Sequence, residues 1–132
     1  MPNKIPLIQS IAGTKKAVYH ASLTFTVDEA TETDVGIFDK QSFSKLLFQL
    51  KNAGANPITF AFYGINIDDF GDDPPDFSAE EYFTLPQSTG DIAADANTAR
   101  DITDNWDYIL LRVKETTGGS ASTLELEVRG ST

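Results

Sequence analysis

The sequence predicts an all-β fold, a single β-sandwich of the jelly-roll type, and three observations support this prediction. Apolar and polar residues alternate along residues 16–27 and again along 123–129, and a period of two is typical of half-buried strands. Gly, Pro and Asn interrupt the apolar runs at short intervals, as they do at turns. The chain of 132 residues has the size of one domain that folds without a metal or a disulfide.

The first clear strand is predicted over Lys16–Val27. Leu23 and Phe25 lie on one face of it, and His20 lies on the other among Ser and Thr. An acidic loop is expected next, and it is followed by a short apolar piece around Ile37.

The stretch Ser44–Asn52 fits a helical stripe as well as a strand face. We interpret it as a strand, because the turn-forming residues 53–57 lead directly into the β-rich run Ile58–Tyr63. These two runs are then predicted to pair as an antiparallel hairpin. One core face of this hairpin would receive three aromatic rings: Phe48, Phe60 and Phe62.

The middle of the chain is predicted to be mostly irregular. Pro and Asp residues crowd Ile67–Phe77, a short strand is expected over Tyr82–Leu85, and Gln87–Arg100 shows no period and is expected to be a long surface connection. Order returns at the end, where Tyr108–Glu115 and Thr123–Arg129 flank a Gly-Gly turn and are predicted to form a terminal hairpin.

Charge and composition exclude several classes of partner. There are 20 acidic residues against 10 Lys and Arg, so the net charge is −10, and a field of that sign repels nucleic acid and anionic lipid. The apolar runs are much shorter than the ~20 residues of a membrane helix, and Met1–Ser10 lacks the apolar stretch of an export signal. We therefore expect neither a nucleic-acid partner nor a membrane one.

The N-terminal residues 1–15 are predicted to form an extended arm, with the sandwich occupying residues 16–132. The segment has two prolines and three Lys within residues 1–16 but no acid, whereas residues 66–107 hold twelve acids and one Arg. Such an arm can lie across the acidic surface of a neighbouring copy, or it can be an ordinary frayed terminus. The arm residues proposed to contact a partner are Lys4, Ile5, Leu7, Ile8 and Ile11.

Two further interface candidates, Phe70 and Phe77, flank the Pro-rich acidic loop. Aromatic rings in an irregular loop either tuck onto the sheet or face a partner. Trp106 offers a similar choice, because it can close the end of the sandwich or stack on a sugar. The second option makes a carbohydrate-binding β-sandwich module the alternative function.

No catalytic, cofactor or metal site is predicted. His20 is the only histidine and Cys is absent, so a thiolate or histidine-rich zinc site and a cysteine nucleophile are excluded. Glu80, Glu81 and Asp107 could be named as a glycosidase pair, but among 20 acids such a pairing has no specificity. We therefore expect a protein that is not an enzyme.

The C-terminal region carries a resemblance to a known class. Asp104–Val113, the turn Thr117–Ser120 and the alternating strand Leu124–Val128 resemble the closing hairpin of small β-sandwich virion proteins of tailed bacteriophages. The resemblance covers this pattern and no further motif. It implies a head-decoration or cement protein, or a tail-associated relative. Such a protein is assembled in the host cytoplasm and binds the major capsid protein or another virion protein as a homo-oligomer such as a trimer.

Calcium is predicted to be dispensable, although Asp68, Asp69, Asp72, Asp73 and Asp76 form a dense acidic cluster. Their spacing does not match an EF-hand loop, and Pro74 and Pro75 stiffen the segment. Thermal unfolding in EDTA and in millimolar calcium should give nearly equal midpoints, whereas a ligand at one hundred times its Kd adds ~2.7 kcal/mol. A clear calcium-induced rise that Asp72→Asn abolishes would contradict this prediction.

Overall fold

The computed structural model describes residues 4–5, 9–10, 18–65, 83–116 and 120–131, and in these residues all regular secondary structure is β. The strands are β1 (Lys4–Ile5), β2 (Gln9–Ser10), β3 (Val18–Val27), β4 (Thr33–Asp39), β5 (Lys45–Asn52), β6 (Ile58–Ile65), β7 (Phe83–Ile92), β8 (Asn97–Ile102), β9 (Tyr108–Glu115) and β10 (Ser122–Ser131). The predicted all-β class is therefore confirmed.

The strands form two packed sheets. Sheet A has the order β1-β4-β9-β6-β7, and sheet B has the order β2-β3-β10-β5-β8. Within each sheet the four longer strands pair antiparallel, while the two-residue β1 pairs parallel with β4. From β3 onward the chain changes sheet at every connection except the one between β6 and β7. This arrangement is a β-sandwich, and its order is consistent with the predicted jelly-roll topology.

The main core lies between the sheets and is built from the inward faces of both. Phe48 of sheet B lies edge-on to Phe38 at 5.1 Å and tilted against Phe62 at 4.6 Å, both from sheet A. Phe60 meets Phe62 at 6.0 Å. These centroid distances are those of favourable aromatic pairs. Phe48, Phe60 and Phe62 belong to one core, but they lie on two facing sheets and not on the single face that was predicted.

Both predicted hairpins are wrong, although all four of their strands exist. β5 belongs to sheet B and β6 to sheet A, while β9 belongs to sheet A and β10 to sheet B. Phe48 and Phe62 therefore meet across the sandwich and not as neighbours in one sheet. Between β5 and β6 the chain passes close to β10, and a Cβ on Gly54 would lie 2.1 Å from the Ser122 hydroxyl oxygen.

Two predictions for the middle of the chain are also wrong. The strand expected to end at Leu85 continues through Pro86 as β7, and most of the expected surface connection Gln87–Arg100 lies in β7 and β8. Proline is tolerated because β7 is an edge strand with an irregularity. Residues 85–88 lie between the pairs Ala61↔Thr89 and Tyr63↔Thr84, opposite a single residue of β6.

A buried amide joins the two sheets at the end where β5 leaves sheet B. The Asn52 side chain is fully buried; its Nδ2 donates to the carbonyls of Asn56 at 2.6 Å and Ile92 at 3.0 Å. Its Oδ1 accepts from the Gly54 amide at 3.0 Å and from the Ser122 hydroxyl at 2.6 Å. One side chain thus ties β5, the following loop, β7 and β10 together.

Replacing Asn52 by Ala should destabilise the fold by about 2–4 kcal/mol, because several buried polar groups lose their partner and each unsatisfied group costs ~1–3 kcal/mol. Urea denaturation followed by circular dichroism measures the change. Asn56→Ala is the matched control, since that side chain makes an exposed hydrogen bond to Ala121, and it should cost under ~1 kcal/mol. Equal effects of the two variants would show that the Asn52 network contributes little.

Candidate functional site

The two sheets differ in how their outer faces are covered. On the side of sheet A that points away from the main core, a second apolar cluster is buried. It consists of Ile37, Ala61, Tyr63, Tyr108 and Leu110. Both faces of sheet A are therefore buried over β4, β9 and β6.

Polar groups border this second cluster. The Tyr63 hydroxyl donates to the Glu32 carboxylate, with oxygen distances of 2.7 and 2.9 Å. Arg112 Nε donates to Asp34 Oδ1 at 2.5 Å, and its guanidinium carbon lies 5.2 Å from the centre of the Tyr63 ring. These contacts hold the phenol and the guanidinium against groups of the same chain, so we assign this region a structural role.

The outer face of sheet B is exposed and forms a groove of about 670 Å³. This volume lies within the range of small-ligand sites, roughly 300–1,000 Å³. We call this concave surface the sheet B groove. Its outward side chains are Ser22, Thr24, Gln49, Lys51, Asn97, Ala99, Glu125 and Glu127. It is the open face of the sandwich, and sequence reasoning did not identify it as a site.

The two sides of the sandwich also differ in how well their edge strands are protected against pairing with other chains. On one side, edge strands β4 and β3 are each paired with a two-residue strand, β1 and β2. Since β4 has seven residues and β3 has ten, most of their outer backbone groups have no strand beside them in the described part of the chain. Unpaired edges of this kind are sites for strand addition.

The opposite side, formed by β7 and β8, is protected against strand addition. β7 carries Pro86 inside its irregular stretch. In β8 the Arg100 guanidinium points inward and lies 5.2 Å from the centre of the Phe60 ring, while Asp101 is exposed. Proline, bulges and inward charges are the features by which edge strands avoid pairing with other chains.

The interface residues predicted from the sequence are only partly within the described structure. Lys4 and Ile5 form β1, in register with Ile37 and Phe38 of the same chain. Leu7, Ile8, Ile11, Phe70 and Phe77 lie outside the described residues. Two short pieces of the predicted arm thus pair with the two sheets of their own chain, and contact with a partner stays a prediction.

Trp106 packs at the end of the sandwich near β6. It is half-buried against the main core, and its ring lies so close to Gly64 that a Cβ there would be 2.4 Å from the indole. The segment that carries it is held by Lys40, whose Nζ donates to the Asp104 carbonyl at 2.6 Å. Burial lowers the pKa of Lys40 more than the nearby Asp104 charge raises it.

Most of the residues considered for catalysis or metal binding lie outside the described residues. His20 lies in β3, in register with Arg129. The acidic cluster 68–76 and the pair Glu80 and Glu81 lie outside the described residues. Within the described ranges, no group of three His, Cys, Asp or Glu side chains could hold a metal. In the same ranges no helix is long and apolar enough to cross a membrane.

Replacing Trp106 by Ala should destabilise the protein by about 3 kcal/mol, because truncating a packed tryptophan leaves a cavity. Trp106→Phe should retain most of the stability. Urea denaturation measures both changes. If Trp106→Ala were as stable as the wild type, the indole would not be packed as the structure shows. The wild-type ring would then be available for a ligand.

No protein-family model matches the sequence, and no curated protein matches it. Solved structures do match in fold. PBSX exported protein XepA matches with a TM-score of 0.59 and 11% identity, over 86% of this chain and 37% of that one. PirA matches with a TM-score of 0.51 and 10% identity, over 84% of this chain and 93% of that one.

A Bacillus protein whose structure is described as endospore appendages that form disulfide-linked pili matches with a TM-score of 0.50 and 11% identity. The match covers 92% of this chain and 95% of that one. At such low identities these similarities establish a shared β fold and not a shared activity.

Proposed function

We propose that this chain is a non-enzymatic structural protein of a tailed-bacteriophage particle, a decoration or cement protein that stabilises the head by binding the shell lattice. The observation that carries the proposal is that the two sides of the sandwich differ in how their edge strands are protected against pairing with other chains. β7 and β8 carry features that block pairing, whereas β3 and β4 each have only a two-residue strand beside them in the described structure. Edges that block pairing on one side only are expected of a protein that assembles through one defined side.

The C-terminal pattern and the structural similarities support the same proposal. Asp104–Val113 and the alternating strand Leu124–Val128 resemble in sequence the closing hairpin of small phage virion proteins, although in this chain the two strands lie in different sheets. The fold is similar to that of PBSX exported protein XepA and to that of the pilus-forming endospore appendage protein. The second similarity indicates that a sandwich of this type can serve as an assembly subunit.

The proposed partners are the major capsid protein or another virion protein, together with further copies of this chain. The net charge of −10 favours a protein surface over nucleic acid or an anionic membrane. The proposed location is the virion, with assembly in the host cytoplasm.

The proposed contact is made by the N-terminal arm. Ile5, Leu7, Ile8 and Ile11 are four aliphatic side chains in a segment with two prolines, which disfavour an amphipathic helix. Burying each of these side chains contributes roughly 1.5–3 kcal/mol, which is comparable with the cost of ordering a short segment. Docking beside β3 or β4 of a neighbouring copy, or on the shell, would provide this burial.

Deleting residues 1–14 should leave the sandwich folded, because each sheet keeps four antiparallel strands. The same deletion should weaken self-association and binding to phage shells, because the aliphatic contacts are lost. Circular dichroism measures folding, light scattering measures mass, and co-sedimentation with undecorated shells measures binding.

A full-length variant with Ser at Ile5, Leu7, Ile8 and Ile11 should reproduce the loss of assembly. Its matched control carries Asn3→Ser and Gln9→Ser and should assemble as the wild type does. Unfolding of the truncated protein would show that the arm is an ordinary part of the sandwich and that the interface lies elsewhere. Normal assembly of the truncated protein would overturn the role of the arm.

A further inference from the structure

The side chains of the sheet B groove form two parallel rows across four strands. Backbone register places Thr24, Glu125, Lys51 and Asn97 in one row, and Ser22, Glu127, Gln49 and Ala99 in the next. At about 4.8 Å between strands, each row spans roughly 14 Å. The groove is thus long enough for a short linear ligand.

The chemistry of the two rows is mixed and polar. Ser22 and Thr24 offer hydroxyls, Gln49 and Asn97 offer amides, and the remaining polar groups are one ammonium and two carboxylates. Hydroxyls and amides both donate and accept hydrogen bonds, while carboxylates only accept and an ammonium only donates. A ligand with many hydroxyl groups, each of which also donates and accepts, can be satisfied at every position along these rows.

Other ligand classes fit the groove less well. A folded protein partner is usually bound through Trp, Tyr or Arg anchors, and the eight outward side chains include none of these. A phosphate ligand would meet the carboxylates of Glu125 and Glu127. A metal ion would find no group of three suitable side chains in the described structure. Lys51 also lies beside Glu125 in register, and its positive charge would repel a cation there.

We propose that the sheet B groove binds a neutral oligosaccharide, with Gln49 and Glu127 as central hydrogen-bonding groups. This site is separate from Trp106 and does not depend on the proposed particle role. Because the groove contains no aromatic ring on which a sugar can stack, a single site should bind in the millimolar range. Several copies on one assembly would bind a polysaccharide more tightly through avidity.

The full-length protein labelled with ¹⁵N should be titrated by NMR with neutral hexasaccharides of glucose, mannose, galactose and N-acetylglucosamine. We expect at least one of them to shift amide signals of β3, β5, β8 and β10 around the groove. Gln49→Ala and Glu127→Gln should each weaken that binding at least tenfold. Asn105→Ala, an exposed amide outside the groove, is the matched control and should bind as the wild type does.

The proposal is overturned if none of the hexasaccharides shifts any groove signal, or if the shifts map to another surface. It is also overturned if Gln49→Ala and Glu127→Gln bind as the wild type does. A titration with calcium chloride alone completes the test, since groove shifts with calcium and none with sugar would indicate a cation site. Normal assembly of a variant that has lost sugar binding would show that the two proposals are independent.

Discussion

Sheet A is buried on both faces, and this constraint determines which surface of the sandwich is left accessible. The main core takes one face of β4, β9 and β6, and the cluster around Tyr108 and Leu110 takes the other. Sheet B buries only its inner face, so its outer polar face stays exposed. The same asymmetry accounts for the composition of β9, which is apolar at consecutive positions, whereas β10 alternates strictly.

Local pattern predicted most strands of this fold, but it did not predict their partners. The alternation of Leu124, Leu126 and Val128 identified β10, yet nothing local indicates that β10 lies between β3 and β5 and not beside β9. Most of β7 and all of β8 were missed for a different reason. β7 contains Pro86, and β8 directs Thr98 and Arg100 inward, so neither strand has an apolar period. The groove was missed with them, because Gln49 and Glu127 become neighbours only through long-range pairing.

The two proposed surfaces meet at β3. Its outward side chains Ser22 and Thr24 form one wall of the sheet B groove. Its outer edge pairs with β2 over two residues, and an arm from another copy would add along the rest of that edge. Leu23 and Phe25 are only partly buried at this edge, so a strand laid along β3 would cover apolar surface and extend the wall of the groove. Assembly and ligand binding can therefore proceed on the same subunit without competing for the same atoms.

The most direct test of the account is amide hydrogen exchange of the full-length protein, measured at low concentration and again under conditions where light scattering shows an assembly. Assembly through the β3 and β4 edges should protect amides of these strands, while amides of β7 and β8 exchange at unchanged rates, because backbone groups at an edge are protected when a strand adds. Protection centred on β7 and β8 would contradict the account. A monomer mass at every concentration, with no binding to shells, would contradict it as well.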